Sequence, residues 1–158
     1  MRLLDVNVLV YAHREDAEDH RPFRDWLRTV VDGDEPFGVP SLVFSGFLRI
    51  VTHPRVFSVP SPLPRALGFV EGVRQSAAFL SVEPGPRHWT IFRRLCEEAG
   101  AKGNLVADAY LASIAIESGS QWITTDRDYA RFPGLMVRHP LRAKSPDAFR
   151  SSRGAHPS

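Results

Sequence analysis

Cysteine, lysine and long apolar runs are all scarce in this 158-residue chain, and each scarcity closes off a class of protein. The single cysteine, Cys96, excludes an intramolecular disulfide framework and any multi-cysteine zinc site, which fits a reducing compartment or indifference to redox. Its surroundings, TIFRRLCEEAG, read as helix and favour a packed thiol over a nucleophile. No stretch reaches the ~18 uninterrupted apolar residues that a membrane span needs. The N-terminal MRLLDVNVLVYAHRED interrupts its apolar run with Asp5 and Asn7 and offers no small-residue cleavage site, so it is not a signal peptide. A cytoplasmic chain with no membrane partner is expected. Also missing are G-x-G-x-x-G, P-loop, G-x-S-x-G and H-E-x-x-H patterns, which removes dinucleotide, nucleoside-triphosphatase, serine-hydrolase and zincin readings. The six histidines show no metal spacing; His20 lies nearest the first strand, with a core or surface role as its simplest reading.

What is present suits one compact domain: 43% of residues are hydrophobic, enough for a sizeable core. The formal charge is only +2, but residues 141–158 carry Arg142, Lys144, Arg150 and Arg153 against Asp147, leaving the first 140 residues near −1. Of 20 basic residues only Lys102 and Lys144 are lysine. That bias suits bidentate contacts to phosphate or carboxylate, and it equally suits a GC-rich coding preference.

Strand and helix signals alternate along the chain. RLLDV at 2–6 reads as a buried strand, followed by a polar stretch and an amphipathic helix from His20 to Val31 with Phe23, Trp26, Leu27 and Val30 on one face. FGVP at 37–40 reads as a strand, and Ser41 as the N-cap of a helix that tolerates Gly46 in its interior. Pro54, Pro60, Pro62 and Pro64 enforce a loop before a helix over 65–75, a strand over 78–82 and a helix over 87–99. NLVADAYLASIAIESG forms the clearest helix, with Asn104 as N-cap and Gly119 as stop. A strand at 121–125, a short helix in DRDYARF and a strand at 135–137 complete an α/β order, which predicts a parallel-stranded sheet flanked by helices on both faces. The basic tail, residues 142–158, is expected to be disordered.

Open parallel sheets bind ligands beyond the carboxyl ends of their strands, and three aspartates fall there. Asp5 ends the first strand among Leu3, Leu4, Val6, Val8 and Leu9, where an ionised carboxylate needs a partner or a cation; capping a helix is the plainer alternative. Asp108 is a lone charge on an almost wholly apolar helix and so calls for a strong counter-charge. Asp126 follows the QWITT strand and doubles as a plausible N-cap, while Asp128 is either an acid at the rim or simply solvated. Convergent carboxylates without a matching lysine suit a hard divalent cation, Mg²⁺ or Mn²⁺, and such ions serve phosphoryl chemistry. Arg14, Arg49, Arg127 and Arg131 are candidate phosphate contacts. A phosphorylated receiver module is disfavoured, because AFLSV runs into SVEP and no lysine follows TTDRD.

Together LLDVNVLVYA, NLVADAYLASIA and TTDRDYARFPGL resemble the PIN domain, and FLRIVTHPRVF with PGPRHW resembles its VapC-type toxin ribonucleases. The resemblance runs from residue 1 to Leu141. It implies a Mg²⁺-dependent endoribonuclease of a toxin–antitoxin pair, cutting structured RNA such as tRNA or rRNA, often homodimeric and silenced by a VapB-like antitoxin. Asp5, Asp108 and Asp126 match the family's acids, with Asp128 beside them, and Asn7 stands where Thr or Ser is common and could orient Asp5 or a metal-bound water. Gly46, three residues before Arg49, stands where many relatives carry Glu, leaving the site one carboxylate short. That departure keeps open an alternative in which the chain binds RNA or antitoxin without efficient cleavage.

Overall fold

A computed structural model describes residues 1–142; the expected disorder of the tail falls almost wholly outside them. The sheet is built from β1 (Arg2–Leu4), β2 (Phe37–Gly38), β3 (Phe79–Leu80), β4 (Gln121–Ile123) and β5 (Met136–Arg138), all parallel, in the order β3-β2-β1-β4-β5. Between the strands run α1 (Val6–His13), α2 (His20–Val31), α3 (Ser41–Val51), α4 (Leu63–Arg74), α5 (His88–Ala99) and α6 (Asn104–Glu117), with a 3-10 turn over Arg127–Arg131. This is the α/β architecture the alternating pattern predicts.

The chain moves outward from β1 to β2 and β3, then crosses back to β4 and β5 on the other side. Crossovers between parallel strands are right-handed, so α1–α4 and α5–α6 cover opposite faces of the sheet. The order reverses between β1 and β4, whose carboxyl ends therefore flank a crevice not roofed by a connection of their own. Leu3, Leu4, Trp122 and Ile123 are wholly buried and fix this pair in the core.

Three local expectations are corrected. RLLDV does not run as strand to residue 6: the strand stops at Leu4 and α1 starts at Val6. The run of β-branched residues there argues for strand, but the Asp5 carboxylate accepts the Val6 N–H at 2.7 Å and starts a helix. Its buried residues, Val8, Leu9 and Ala12, then follow helical spacing. Ser41 is not the cap of α3; Pro40 holds that position, and the Ser41 N–H and hydroxyl donate to the Glu83 carboxylate at 2.8 and 2.9 Å. Glu83 lies 42 residues away, beyond any local reading. Asn104 is likewise the first helical residue, and Gly103 at φ 55° makes the turn into α6.

Candidate active site

The crevice is organised by its most buried carboxylate. Asp5 is 5% exposed, and its N–H donates to the Ile123 carbonyl at 3.0 Å, which fastens it across from the end of β4. One carboxylate oxygen caps α1, and the other accepts the Thr124 hydroxyl at 2.6 Å. Burial pushes its pKa up to about 6 against these two hydrogen bonds, and the nearby charges of Asp108 and Asp126 add to the rise. The capping reading of Asp5 is therefore met, and the same side chain feels the charges of Asp108 and Asp126.

Thr124, 2% exposed, links two acids: its oxygen also accepts the Asp126 N–H at 3.0 Å. Asp126 in turn caps the 3-10 turn, accepting the Asp128 N–H on Oδ1 at 2.8 Å. Asp128 is exposed and lies 3.9 Å from Arg131, an open surface pair of small energetic weight.

Asp108 reaches the crevice from the first turns of α6, on the opposite layer. It is half-buried, less enclosed than its apolar helix implies, because Asn104, Val106 and Ala107 around it are exposed. Among the described residues it has no ion-pair partner; the Tyr129 hydroxyl donates to its Oδ1 at 3.3 Å. Burial raises its pKa, the Asp126 charge raises it further, and the Tyr129 bond opposes them. The expected counter-charge is thus replaced by a neutral donor.

Asn7 sits in the first turn of α1, half-buried, and its buried Oδ1 has no hydrogen-bond partner among the described residues. Gly46 faces the start of the same helix: a Cβ built on it would meet only Val6 Cγ2, at 3.2 Å. Arg49, Arg127 and Arg131 are exposed. Arg14 lies at the other end of α1 and is fully engaged there, with two bonds to Asp16 at 2.6 and 2.8 Å, one to the Val59 carbonyl at 2.9 Å and one to Ser61 at 3.2 Å. Its guanidinium also stacks 4.0 Å from the Phe57 ring centroid, so it clamps the proline-rich loop and is not free for phosphate. His20 donates to the Tyr11 carbonyl at 2.9 Å and lines an open cavity of about 560 Å³ between α1, α2 and α4, apart from the acids. Cys96 is half-buried, and burial raises its thiol pKa, as a packed residue requires.

Two residues of the crevice escape the sequence reading. Thr124 is visible only as a hydroxyl two positions before Asp126, and Tyr129 only as the aromatic of DRDY. Their roles depend on partners 119 and 21 residues away.

The donor set suits a hard cation. Among the described residues Asp5, Asp108 and Asp126 form no ion pair, and Asn7, two residues after Asp5 on α1, has a buried side-chain oxygen with no partner. Among the described residues no three His, Cys, Asp or Glu side chains close into a finished metal cage. Mg²⁺ does not require one, since it keeps several waters and commonly binds one or two carboxylates together with substrate phosphate.

The PIN domain profile matches residues 2–135. Ribonuclease VapC25 of Mycobacterium tuberculosis is 47% identical over 142 residues, covering 89% of this chain and 100% of that protein. VapC ribonuclease Mb2897 of Mycobacterium bovis is 44% identical over 141 residues, covering 89% and 96%. Among solved structures, VapBC2 from Rickettsia felis bound to a promoter DNA fragment aligns with TM-score 0.64 at 17% identity, covering 87% of this chain and 97% of that one. FitAcB from Neisseria gonorrhoeae aligns with TM-score 0.60 at 17% identity, covering 90% and 100%, and at such identities these two carry the fold alone. With its profile match over residues 2–135 and its full-length relatives, the chain belongs to the PIN-domain family, in its VapC branch.

Proposed function

We propose that this chain is the toxin of a toxin–antitoxin pair, an endoribonuclease that depends on Mg²⁺ or Mn²⁺ and cleaves structured RNA such as tRNA or rRNA. The carrying observation is the crevice at the strand-order reversal, where the Asp126 charge raises the cost of ionising both Asp5 and Asp108, and Asp108 that of Asp5, while none of the three forms an ion pair among the described residues. The relatives' names, ribonucleases of the VapC type, support the same reading.

Asp5, Asp108 and Asp126 are the residues that would hold the ion. When bound, it supplies an activated water and offsets the negative charge that develops on the phosphate. The chain's own groups fix the geometry around it. Thr124 and the α1 N-terminus hold the Asp5 carboxylate by both oxygens, so its orientation is set before any ligand arrives. The Asp128 N–H occupies Asp126 Oδ1, which leaves Oδ2 for the crevice. The unpaired Asn7 oxygen is an acceptor suited to orienting a water, and exposed Arg49, Arg127 and Arg131 are available to phosphate oxygens. Attack by water in line with the leaving 3′ oxygen gives 5′-phosphate and 3′-hydroxyl ends.

A VapB-like antitoxin is the natural partner, supported by structural neighbours that are VapBC complexes, and a homodimer is the expected assembly. Gly46 supports a second reading, a slow or binding-only relative, since no carboxylate projects from that turn of α3 toward Val6. Brief induction in a bacterial host, followed by sequencing of new RNA ends, separates the two. Discrete new ends on a structured RNA that vanish with Asp108→Asn support the nuclease; growth arrest without new ends supports the binding-only relative.

A further inference from the structure

We propose that Tyr129 is a positioning residue for Asp108, holding one carboxylate oxygen so that the other faces the crevice as a single-point ligand for a divalent cation. The inference rests on the cation-dependent reading above.

Tyr129 belongs to the 3-10 turn that Asp126 caps, so the element that delivers one acid also delivers a hydroxyl to another. The residue is 1% exposed, packed between Trp122 at 5.4 Å and Phe132 at 6.0 Å between ring centroids. A ring needed only for packing has no use for a hydroxyl there, because a buried phenol costs stability unless it is paired. Among the described residues its hydroxyl has one side-chain partner, Asp108 Oδ1 at 3.3 Å. A phenol stays protonated well above neutral pH, so Tyr129 serves as a neutral donor. A neutral donor suits this place better than an arginine: it favours the ionised carboxylate without adding a positive charge that would repel an incoming cation.

The same contact divides labour between the acids. Asp5 is held by both oxygens, Asp126 by one, and Asp108 by one, so each of the last two keeps an oxygen for a ligand. Asp108 stands on α6 and Tyr129 beyond β4, so their bond also ties the helical layer to the rim of the sheet at the crevice.

The test is Tyr129→Phe, which keeps the ring and removes only the donor. Mn²⁺ titration by calorimetry on the full chain is expected to show affinity about tenfold weaker than wild type. The melting temperature without metal should stay within the wild-type range, and the Mn²⁺-induced rise in it should shrink. Wild-type protein should show a tyrosine ultraviolet difference signal on adding Mn²⁺ that Tyr129→Phe lacks, as the phenol's bond to Asp108 adjusts. In cleavage assays the half-saturating Mn²⁺ concentration should rise while the rate at saturating metal recovers. Equal Mn²⁺ affinity in the two proteins, or a loss of metal-free stability with the metal-induced shift unchanged, overturns the positioning role and leaves Tyr129 as core. Failure of wild-type protein itself to bind Mn²⁺ overturns both this inference and the functional reading beneath it.

Discussion

The two ends of α1, a helix of eight residues, are built on opposite principles. At the carboxyl end the side chains of His13, Arg14 and Ser61 are joined in one hydrogen-bonded network. Arg14 bonds Asp16, Val59 and Ser61, and Ser61 accepts from Arg14 and shares a hydrogen bond with Nε2 of His13, whose ring packs edge-on against Phe47 and Phe69. At the amino end Asp5 is buried near other acids, and among the described residues Asn7 Oδ1 has no partner and no cation pairs with Asp5. A matched network stabilises the fold and leaves nothing to react. The mismatched cluster costs stability and is the part of the molecule that a ligand can complete.

The strongest way to break this contrast is to neutralise an acid of the crevice. Asp108→Asn or Asp5→Asn should lower RNA cleavage by about a hundredfold or more. Either should leave the metal-free melting temperature equal or higher, because like-charge repulsion is relieved. Cleavage rates and thermal melts on the same preparations check both halves, and retained activity at matched folding would remove these acids from the site.

The ends should also pull stability in opposite directions with pH. Asp5 titrates near 6 in the folded chain against an ordinary 3.8, so the folded state binds the proton more tightly. Its contribution to stability therefore falls as pH rises from about 4 to 6, by about 3 kcal/mol in total. His13 is lowered below 6.5 by burial, then by Arg65 and Arg14, so the unfolded chain binds its proton more tightly and stability falls as pH drops below that value. In metal-free wild type the two slopes oppose each other. Denaturant melts of Asp5→Asn between pH 4 and 7 should show the acid-favouring slope removed and stability rising toward neutral pH; an unchanged profile would contradict the burial cost assigned to Asp5.

Arg14→Ala probes the matched end. Loss of its bonds and of the Phe57 stack should destabilise the chain by about 2 kcal/mol. The cleavage rate per folded molecule should change less than about twofold, because Arg14 lies far from the acids along α1. A large loss of RNA binding with stability kept would return Arg14 to the phosphate contacts.

Gly46→Glu gives the smallest expected change in stability. A helix-interior glycine costs up to about 1 kcal/mol relative to better helix formers, while the new Cβ asks Val6 Cγ2 to move by a few tenths of an ångström. The two nearly cancel, and Mn²⁺ affinity should rise as an acid joins the crevice. Destabilisation with unchanged Mn²⁺ binding, measured by melting and calorimetry together, would assign Gly46 to helix packing alone.

Legibility of the molecule in its sequence follows the same division. The α2 helix, His20–Val31, and the stop of α6 near Gly119 are local signals, and the structure repeats them. The start of α1 is misread because β-branched Val6 and Val8 argue for strand while the deciding contact is the Asp5 cap. Asp5 and Asp108 stand out as charges in apolar surroundings, and Asp126 as the acid that follows the QWITT strand. Thr124 and Tyr129 do not, because a hydroxyl in a strand end or a turn is unremarkable until the fold sets it against a carboxylate. Arg14 was legible as a cation, but its matched partners lie 45 and 47 residues away in the loop it clamps.

The most direct measurement is cleavage of a structured RNA pool by the purified chain, with and without divalent cation, followed by analysis of the new ends. The account predicts no cleavage in excess EDTA, restoration by Mg²⁺ or Mn²⁺, and 5′-phosphate with 3′-hydroxyl ends. Cleavage that persists in EDTA, or ends carrying 2′,3′-cyclic phosphate, would contradict it.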